Sequence, residues 1–133
     1  MFQFGKASKR NIETLHDDLQ LVLYEAIQTS KIDFCVYCGH RGEKEQNAAY
    51  NAGKSQLQYP VSLHNKLPSM AFDFAPYNKK NPHIRWEDTA AFEKVAKHIL
   101  KTAKKMEIKL EWGGSWESFV DMPHIQKASN ELV

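Results

Sequence analysis

Two short stretches of the sequence carry side chains that could act on a chemical bond. The first runs Ser62-Leu63-His64-Asn65-Lys66-Leu67-Pro68-Ser69-Met70-Ala71-Phe72-Asp73, with an imidazole and a carboxylate on either side of a proline turn. The second is Asp121-Met122-Pro123-His124, again a carboxylate and an imidazole, soon after Gly113-Gly114. Asp73 interrupts an apolar run between Phe72 and Phe74. Side chains alternate along a strand, so if the two Phe rings face the core, Asp73 faces the opposite surface of the sheet. A carboxylate there is either solvated or held by something positive, and a metal ion is one such partner. Catalytic zinc usually takes three His or carboxylate ligands and keeps a position for water. His64, Asp73 and His124 would supply that set, leaving Asp121 as an unliganded carboxylate beside the water. Such a metal lowers the pKa of its water toward about 7, and a nearby carboxylate can take the proton. Spacing alone does not decide the matter, because no His-Glu-x-x-His pair is present. His16, His83 and His98 lie outside both stretches and read as ordinary surface or core residues.

The elements that must position these groups can be read from periodicity. Ile12, Leu15, Leu19, Leu23, Ala26 and Ile27 recur at helical spacing and predict a helix at about 9–29, with Ser8 as its N-cap. Asp33 to Tyr37 reads as a short buried strand. Glu43 to Ala52 reads as a second helix, with Gly53 placed for a left-handed C-terminal cap. Lys54 to Pro68 is loop-like, and Met70 to Ala75 reads as a strand ended by Pro76. Asp88 can cap a third helix over about 89–106, whose Phe92, Val95, Ala96, Ile99, Ala103 and Met106 share one face. Lys94, Lys97, Lys101, Lys104 and Lys105 lie opposite and read as a solvated face. Glu107 to Trp112 and His124 to Gln126 complete the strands. The order predicts an α+β fold in a single domain over residues 1–133, with three helices packed on a mostly antiparallel sheet.

Bulk properties set bounds on the function. A chain of 133 residues, 42% apolar and 26% charged, can build one core without staples. A net charge of +2 does not argue for nucleic acid. No apolar run approaches a membrane span, and the N-terminus lacks the apolar stretch of a signal peptide. Synthesis in the cytoplasm is therefore expected, and the protein is expected to be a monomer. Cys35 and Cys38 are expected as reduced thiols, since no second C-x-x-C accompanies them. Trp86, Trp112 and Trp116 are candidates for either core or cleft wall.

Three segments together resemble a known family. S-L-H-N-K-L-P-S-M-A-F-D-F-A-P-Y (residues 62–77) resembles the S-x-H-n-x-x-P-S-x-A-x-D-x-x-P-Y motif of phage L-alanyl-D-glutamate endopeptidases. W-G-G-S-W-E-S-F-V-D-M-P-H (112–124) resembles their W-G-G-D-W-x-S-F-x-D-x-P-H motif, and residues 39–55 resemble their G-x-R-S-x-x-E-Q-x-x-x-Y-x-x-G-x-S segment. The wider family includes D-alanyl-D-alanine carboxypeptidases and dipeptidases. The resemblance implies a small α+β domain with zinc bound by His64, Asp73 and His124 on an antiparallel sheet. It implies Asp121 as the base, and later the acid that protonates the leaving amine. Arg41 would face the substrate and hold a polarised carbonyl or a carboxylate, with Ser62 and Gln46 as supporting or substrate-side groups. The implied substrate is the stem peptide of bacterial peptidoglycan. The implied role is that of an endolysin made in the host cytoplasm, which meets the wall once a hole-forming partner opens the membrane. The alternatives are a carboxypeptidase or dipeptidase of cell-wall metabolism and a zinc-containing wall-binding domain without turnover. Ser115 stands where the family has Asp, His40 where Tyr is frequent, and Gly42 where Ser is frequent.

Overall fold

The computed structural model describes residues 1–117 and 119–128. Ser118, within the 112–124 motif, and residues 129–133 of the expected domain lie outside the described residues. Four helices, α1 (Lys6–Ile12), α2 (Asp17–Thr29), α3 (Glu43–Asn51) and α4 (Thr89–Lys105), accompany four strands, β1 (Phe34–Cys38), β2 (Ala71–Pro76), β3 (Leu110–Trp112) and β4 (His124–Lys127). The strands form one sheet in the order β1-β2-β4-β3, and each neighbouring pair is antiparallel. The α+β expectation holds, with one helix more than expected.

The extra helix comes from a break in the predicted 9–29 segment. The Ile12–Leu15–Leu19 spacing is real, and all three side chains are buried. Between them, however, the backbone leaves the helix to pair with Ser69, through His16 N–H to the Ser69 carbonyl (2.9 Å) and Ser69 N–H to the Thr14 carbonyl (2.8 Å). Tertiary hydrogen bonds therefore override a continuous periodic pattern. His16 restarts the helix, its Nδ1 accepting from Asp18 N–H at 3.1 Å. Asp17 and Asp18 then complement the dipole in the first turn. Ser8 is not a cap. The first helix follows Gly5, and the buried Ser8 hydroxyl accepts from Val36 N–H at 3.0 Å, tying α1 to β1.

The other elements fall where sequence places them, apart from shifted ends. Gly53 has φ 75°, as a left-handed cap requires. The Asp88 side chain accepts from Ala91 N–H at 3.2 Å and starts α4. The strand expected from Glu107 begins only at Leu110, because Glu107 itself adopts φ 61° to end α4. Ile108 N–H then reaches back to the Ala103 carbonyl at 2.9 Å.

One face of the sheet, bearing Phe34, Val36, Phe72, Phe74 and Ile125, packs with the apolar sides of α2 and α4. On α4 this side is Phe92, Val95, Ala96, Ile99 and Ala103, while the five lysines are exposed. Truncating any one of the large residues would cost about 2–5 kcal/mol. This layer forms the rigid base from which the opposite face of the sheet presents its polar groups. Cys35 and Cys38 are free thiols.

Candidate active site

Strand register places the first two candidate ligands. Asp73 on β2 pairs directly with His124 on β4. Directly opposed residues on one face stand close enough for their side chains to meet. The flanking Phe72 and Ile125 turn the other way into the core, fully buried. On the opposite edge of β2, a register shift between Val36 and Cys38 sets Cys38 opposite Asp73. Bulges of this kind commonly re-aim a strand beside an active site. The chain leaving β1 then carries Arg41 across the site, where its N–H bonds the His64 carbonyl at 2.8 Å.

His64 arrives on a short 3-10 turn, Leu63–Asn65. Ser62 caps that turn: its hydroxyl accepts from His64 N–H at 3.2 Å, and the Asn65 side chain returns a bond to Ser62 N–H at 3.0 Å. His64, Asp73 and His124 are all buried, and one ligand atom from each lies within 4.8 Å of the others. His64 Nε2 stands 3.3 Å and His124 Nδ1 3.4 Å from Asp73 Oδ1, and the two nitrogens are 3.2 Å apart.

The outer partners fix what these atoms offer. His64 Nδ1 lies 2.7 Å from the Gly39 carbonyl, which can only accept, so this nitrogen carries the hydrogen. His124 Nε2 likewise donates to Gln126 Oε1 at 2.7 Å. The remaining nitrogens, His64 Nε2 and His124 Nδ1, then point lone pairs at Asp73 Oδ1. That oxygen is buried and has no hydrogen bond among the described residues. Three electron-rich atoms converge on one point, and a cation is what such a set fits. The donor set of two imidazoles and a carboxylate suits zinc, with manganese or cobalt also compatible.

Without a metal, a proton takes the cation's place. Burial opposes charge on His64, but contacts with Asp73 and Cys38 outweigh it and lift the pKa to about 9. Burial would raise the Asp73 carboxyl, but His124 and His64 hold it well below the usual carboxylate range. Asp121 behaves oppositely: burial raises its pKa, and the neighbouring Asp73 charge raises it further. Asp121 sits at the lip of the site on the loop before β4. Gly113 N-terminal to that loop is required by close approach, since a Cβ there would collide with the Asp121 carbonyl. Asp121 N–H bonds the Gly113 carbonyl at 2.9 Å, and His124 N–H bonds the Asp121 carbonyl at 3.2 Å. Gly113 thus sets the position of Asp121 and, through the Asp121 carbonyl, of His124.

Arg41 holds Asp73 from behind. Its Nη2 donates to Asp73 Oδ2 at 2.8 Å, its Nε to Cys38 Sγ at 3.2 Å and its Nη1 to Gln46 Oε1 at 3.3 Å. Gln46 is fully buried on α3 and also donates to Ser55 Oγ (3.0 Å) and to the Leu57 carbonyl (2.6 Å). It thereby joins Arg41 to the loop that walls the cleft. All seven candidate site residues are therefore in one region. His16, His83 and His98 are elsewhere, bonded to Asp18 N–H, the Asn78 carbonyl, and the Thr29 hydroxyl and Ala26 carbonyl respectively.

Sequence reading missed Gln126, the Gly39 carbonyl, Cys38 and Gly113 as supports. Gln126 was accessible in principle, being two residues beyond His124 on a strand and so on the same face. The tryptophans divide three ways. Trp112 is buried, with its Nε1–H bonded to the Met122 carbonyl at 2.7 Å, Trp116 lies with its ring 5.2 Å from that of His124, and Trp86 is exposed. Ser115, where the family pattern has Asp, closes its turn by donating to the Trp112 carbonyl at 2.8 Å.

The cleft has two arms that share Arg41, Lys54, Phe119 and Asp121. One is lined by Ser55, Leu57, Ser62, His64, Trp116 and Gln126, the other by Tyr37, Asp73, Trp86 and Pro123. Such a floor, with three buried ligand atoms that could hold a metal ion, a raised-pKa carboxylate and a guanidinium, has the groups needed to polarise a carbonyl and relay a proton.

Comparison with known proteins gives a consistent picture. Residues 1–130 match the family model described as phage L-alanyl-D-glutamate peptidase. The L-alanyl-D-glutamate peptidase of Escherichia phage T5 is 36% identical over 122 residues, covering 90% of this chain and 85% of the relative. The peptidoglycan L-alanyl-D-glutamate endopeptidase CwlK of Bacillus subtilis is 30% identical over 119 residues, covering 81% and 68%. A Listeria phage L-alanyl-D-glutamate peptidase is 30% identical over 122 residues, which span 90% of this chain but 40% of that protein. The crystal structure of the Serratia marcescens L-Ala D-Glu endopeptidase ChiX superposes with a TM-score of 0.82 at 27% identity, covering 98% of this chain and 93% of that one.

Proposed function

The chain belongs to the phage L-alanyl-D-glutamate peptidase family, and from that membership we propose that it is a zinc peptidase hydrolysing the L-alanyl-D-glutamate bond of peptidoglycan stem peptides. The observation that carries this reading is the convergence of His64 Nε2, Asp73 Oδ1 and His124 Nδ1 on one point, beside an Asp121 whose pKa is raised. His64, Asp73 and His124 would hold the zinc, which when bound supplies Lewis acidity to a water and to the scissile carbonyl.

The chain's own groups do the rest. Asp121 takes the proton of the attacking water and returns it to the leaving nitrogen of D-glutamate. A raised pKa suits a group that must do both near neutral pH. Arg41 fixes Asp73 through Nη2 and turns its remaining N–H hydrogens toward the cleft, where a polarised oxygen would sit. Gln46 holds Arg41 in that pose, and Ser62 holds His64. Residues 1–133 form one catalytic unit in this reading, and it acts as a monomer.

The biological role that follows is phage lysis. The protein would be made in the host cytoplasm and reach the wall after a separate protein opens the membrane. Among the described residues no helix is long and apolar enough to cross a membrane.

The test is digestion of purified muropeptides with and without a chelator, with products read by mass. New amino groups on D-glutamate, lost with chelator and restored by zinc, are expected. Release of D-alanine would instead assign the carboxypeptidase activity. Zinc binding with no cleavage of any kind would make the protein a wall-binding domain.

A further inference from the structure

The second arm of the cleft has a feature that peptide hydrolysis does not require. Trp86, just before α4, is 54% exposed, although its ring is held in place on two sides. Its face lies over Phe92, with centroids 6.0 Å apart and planes at 26°, and it meets Tyr37 nearly perpendicularly, at 5.4 Å and 87°. Tyr37 is itself 39% exposed. An indole that only anchored α4 would be buried by those contacts. Here a large, rigid apolar face is kept open to solvent. It borders the same cavity, of about 460 Å³, that reaches Asp73 and Asp121. Arg41 and Lys54 supply polar groups at its edge.

Both arms mix polar and apolar walls. The first sets Ser55, Ser62 and Gln126 beside Leu57 and a half-buried Trp116 whose ring packs on His124, and offers hydrogen-bonding groups along which a peptide can lie. The arm with Tyr37, Trp86 and Pro123 offers flat apolar faces with a charged rim. A pyranose ring has the complementary form, with C–H faces that stack on aromatic rings and polar groups around its edge. In peptidoglycan the L-alanine of the stem is joined through a lactyl group to an N-acetylated amino sugar. A sugar therefore lies directly on the amino-terminal side of the scissile bond. On the other side the stem continues as peptide, bearing carboxylates and no ring.

Resting on the peptidase reading above, we propose that Trp86 and Tyr37 form a sugar subsite for the N-acetylmuramyl group, so that the peptide lies with its L-alanine toward Trp86 and its D-glutamate toward Ser55. Substrate selection then extends beyond the peptide to the glycan that carries it. Binding made at a distance from the reacting atoms can be used to orient them.

The experiment compares two synthetic substrates with the same stem peptide, one carrying N-acetylmuramic acid on L-alanine and the other a simple acetyl group. The zinc-loaded wild-type enzyme should show a kcat/KM at least fivefold higher on the muramyl substrate. Trp86→Ala should lower that ratio toward one, and Trp86→Phe, which keeps a ring, should restore most of it. Inhibition of the wild-type enzyme by N-acetylmuramyl-L-alanine should need at least fivefold less compound than inhibition by acetyl-L-alanine, a comparison that involves no variant. Equal kcat/KM for the two substrates in the wild-type enzyme, equal inhibition by the two products, or a ratio unmoved by Trp86→Ala would each overturn the subsite. Cleavage of neither substrate would instead remove the peptidase reading on which it rests.

Discussion

Stripping the metal should leave a protein whose thermal stability falls as pH rises, while the metal-loaded protein stays level over the same range. The prediction follows from His64, which is 2% exposed at its side chain and holds its Nε2 3.3 Å from Asp73 Oδ1, so that with no metal bound the Asp73 charge favours a proton on the imidazole. Its folded pKa of about 9 lies above its ordinary value of 6.5. A raised pKa gives stability that is fully present below pH 6.5 and is lost as pH climbs through 9. At about 1.4 kcal/mol per unit, the loss across that window is about 3 kcal/mol. For a chain of this size each kcal/mol moves Tm by roughly 3–4 °C, so the metal-free protein should drop by about 10 °C. Metal must displace that proton, and its affinity therefore rises about tenfold per pH unit up to pH 9. Zinc at a thousandfold excess over its Kd adds about 4 kcal/mol, or about 12–16 °C. The gap between loaded and stripped protein should widen by about 4–5 °C per pH unit, which leaves the loaded protein nearly flat. The assay is a set of thermal melts from pH 6 to 8, in chelator or in buffered zinc, with Asp73→Asn as the control. That variant lacks the anion, so both the slope of the stripped protein and most of the zinc shift should disappear. A gap that does not change with pH, or a Tm indifferent to chelator, would refute the reasoning.

Four further perturbations probe other parts of the structure. Asp121→Asn should keep the zinc-induced rise in Tm and lose at least about a hundredfold in kcat, as removal of a proton-transfer group does; steady-state kinetics with parallel melts will separate these. Gly113→Ala pushes a Cβ into the Asp121 carbonyl and should also lower kcat, by about a hundredfold for a displacement near 1 Å, with zinc binding retained. Lys127 is buried, with Nζ 2.7 Å from Asp18 Oδ2, so Asp18→Ala should cost about 1–3 kcal/mol in urea unfolding, whereas Lys127→Met should be close to neutral. Glu107 holds a positive φ with a side chain that does not favour it, so Glu107→Gly should stabilise by about 0.5–1 kcal/mol, measured as a higher urea midpoint.

Much of the site was legible in the sequence because strands carry it. The alternation of Phe72, Asp73 and Phe74 gives the orientation of Asp73, and the Pro68 and Pro123 turns flank the two histidines. The pairing that sets Asp73 opposite His124 could not be read, since register depends on contacts far apart in the chain. The same holds for the Val36–Cys38 bulge, which brings Cys38 and Arg41 to the site. The break between α1 and α2 was hidden by a periodic pattern that continues through it. It depends on Ser69, more than fifty residues away, although the Asp17-Asp18 doublet was a local sign of a new helix start. The tautomers of His64 and His124 rest on a backbone carbonyl and on Gln126. Of these only Gln126 has a sequence signal, and a weak one.

One metal ion at His64, Asp73 and His124 would drive hydrolysis, and the most direct measurement of this is a zinc titration of stripped protein while cleavage of the muramyl peptide is followed. Activity should start near zero, rise in proportion to added zinc, and stop rising at about one equivalent per chain, with His124→Ala inactive throughout. Full activity in the stripped protein, or undiminished activity in His124→Ala, would contradict it.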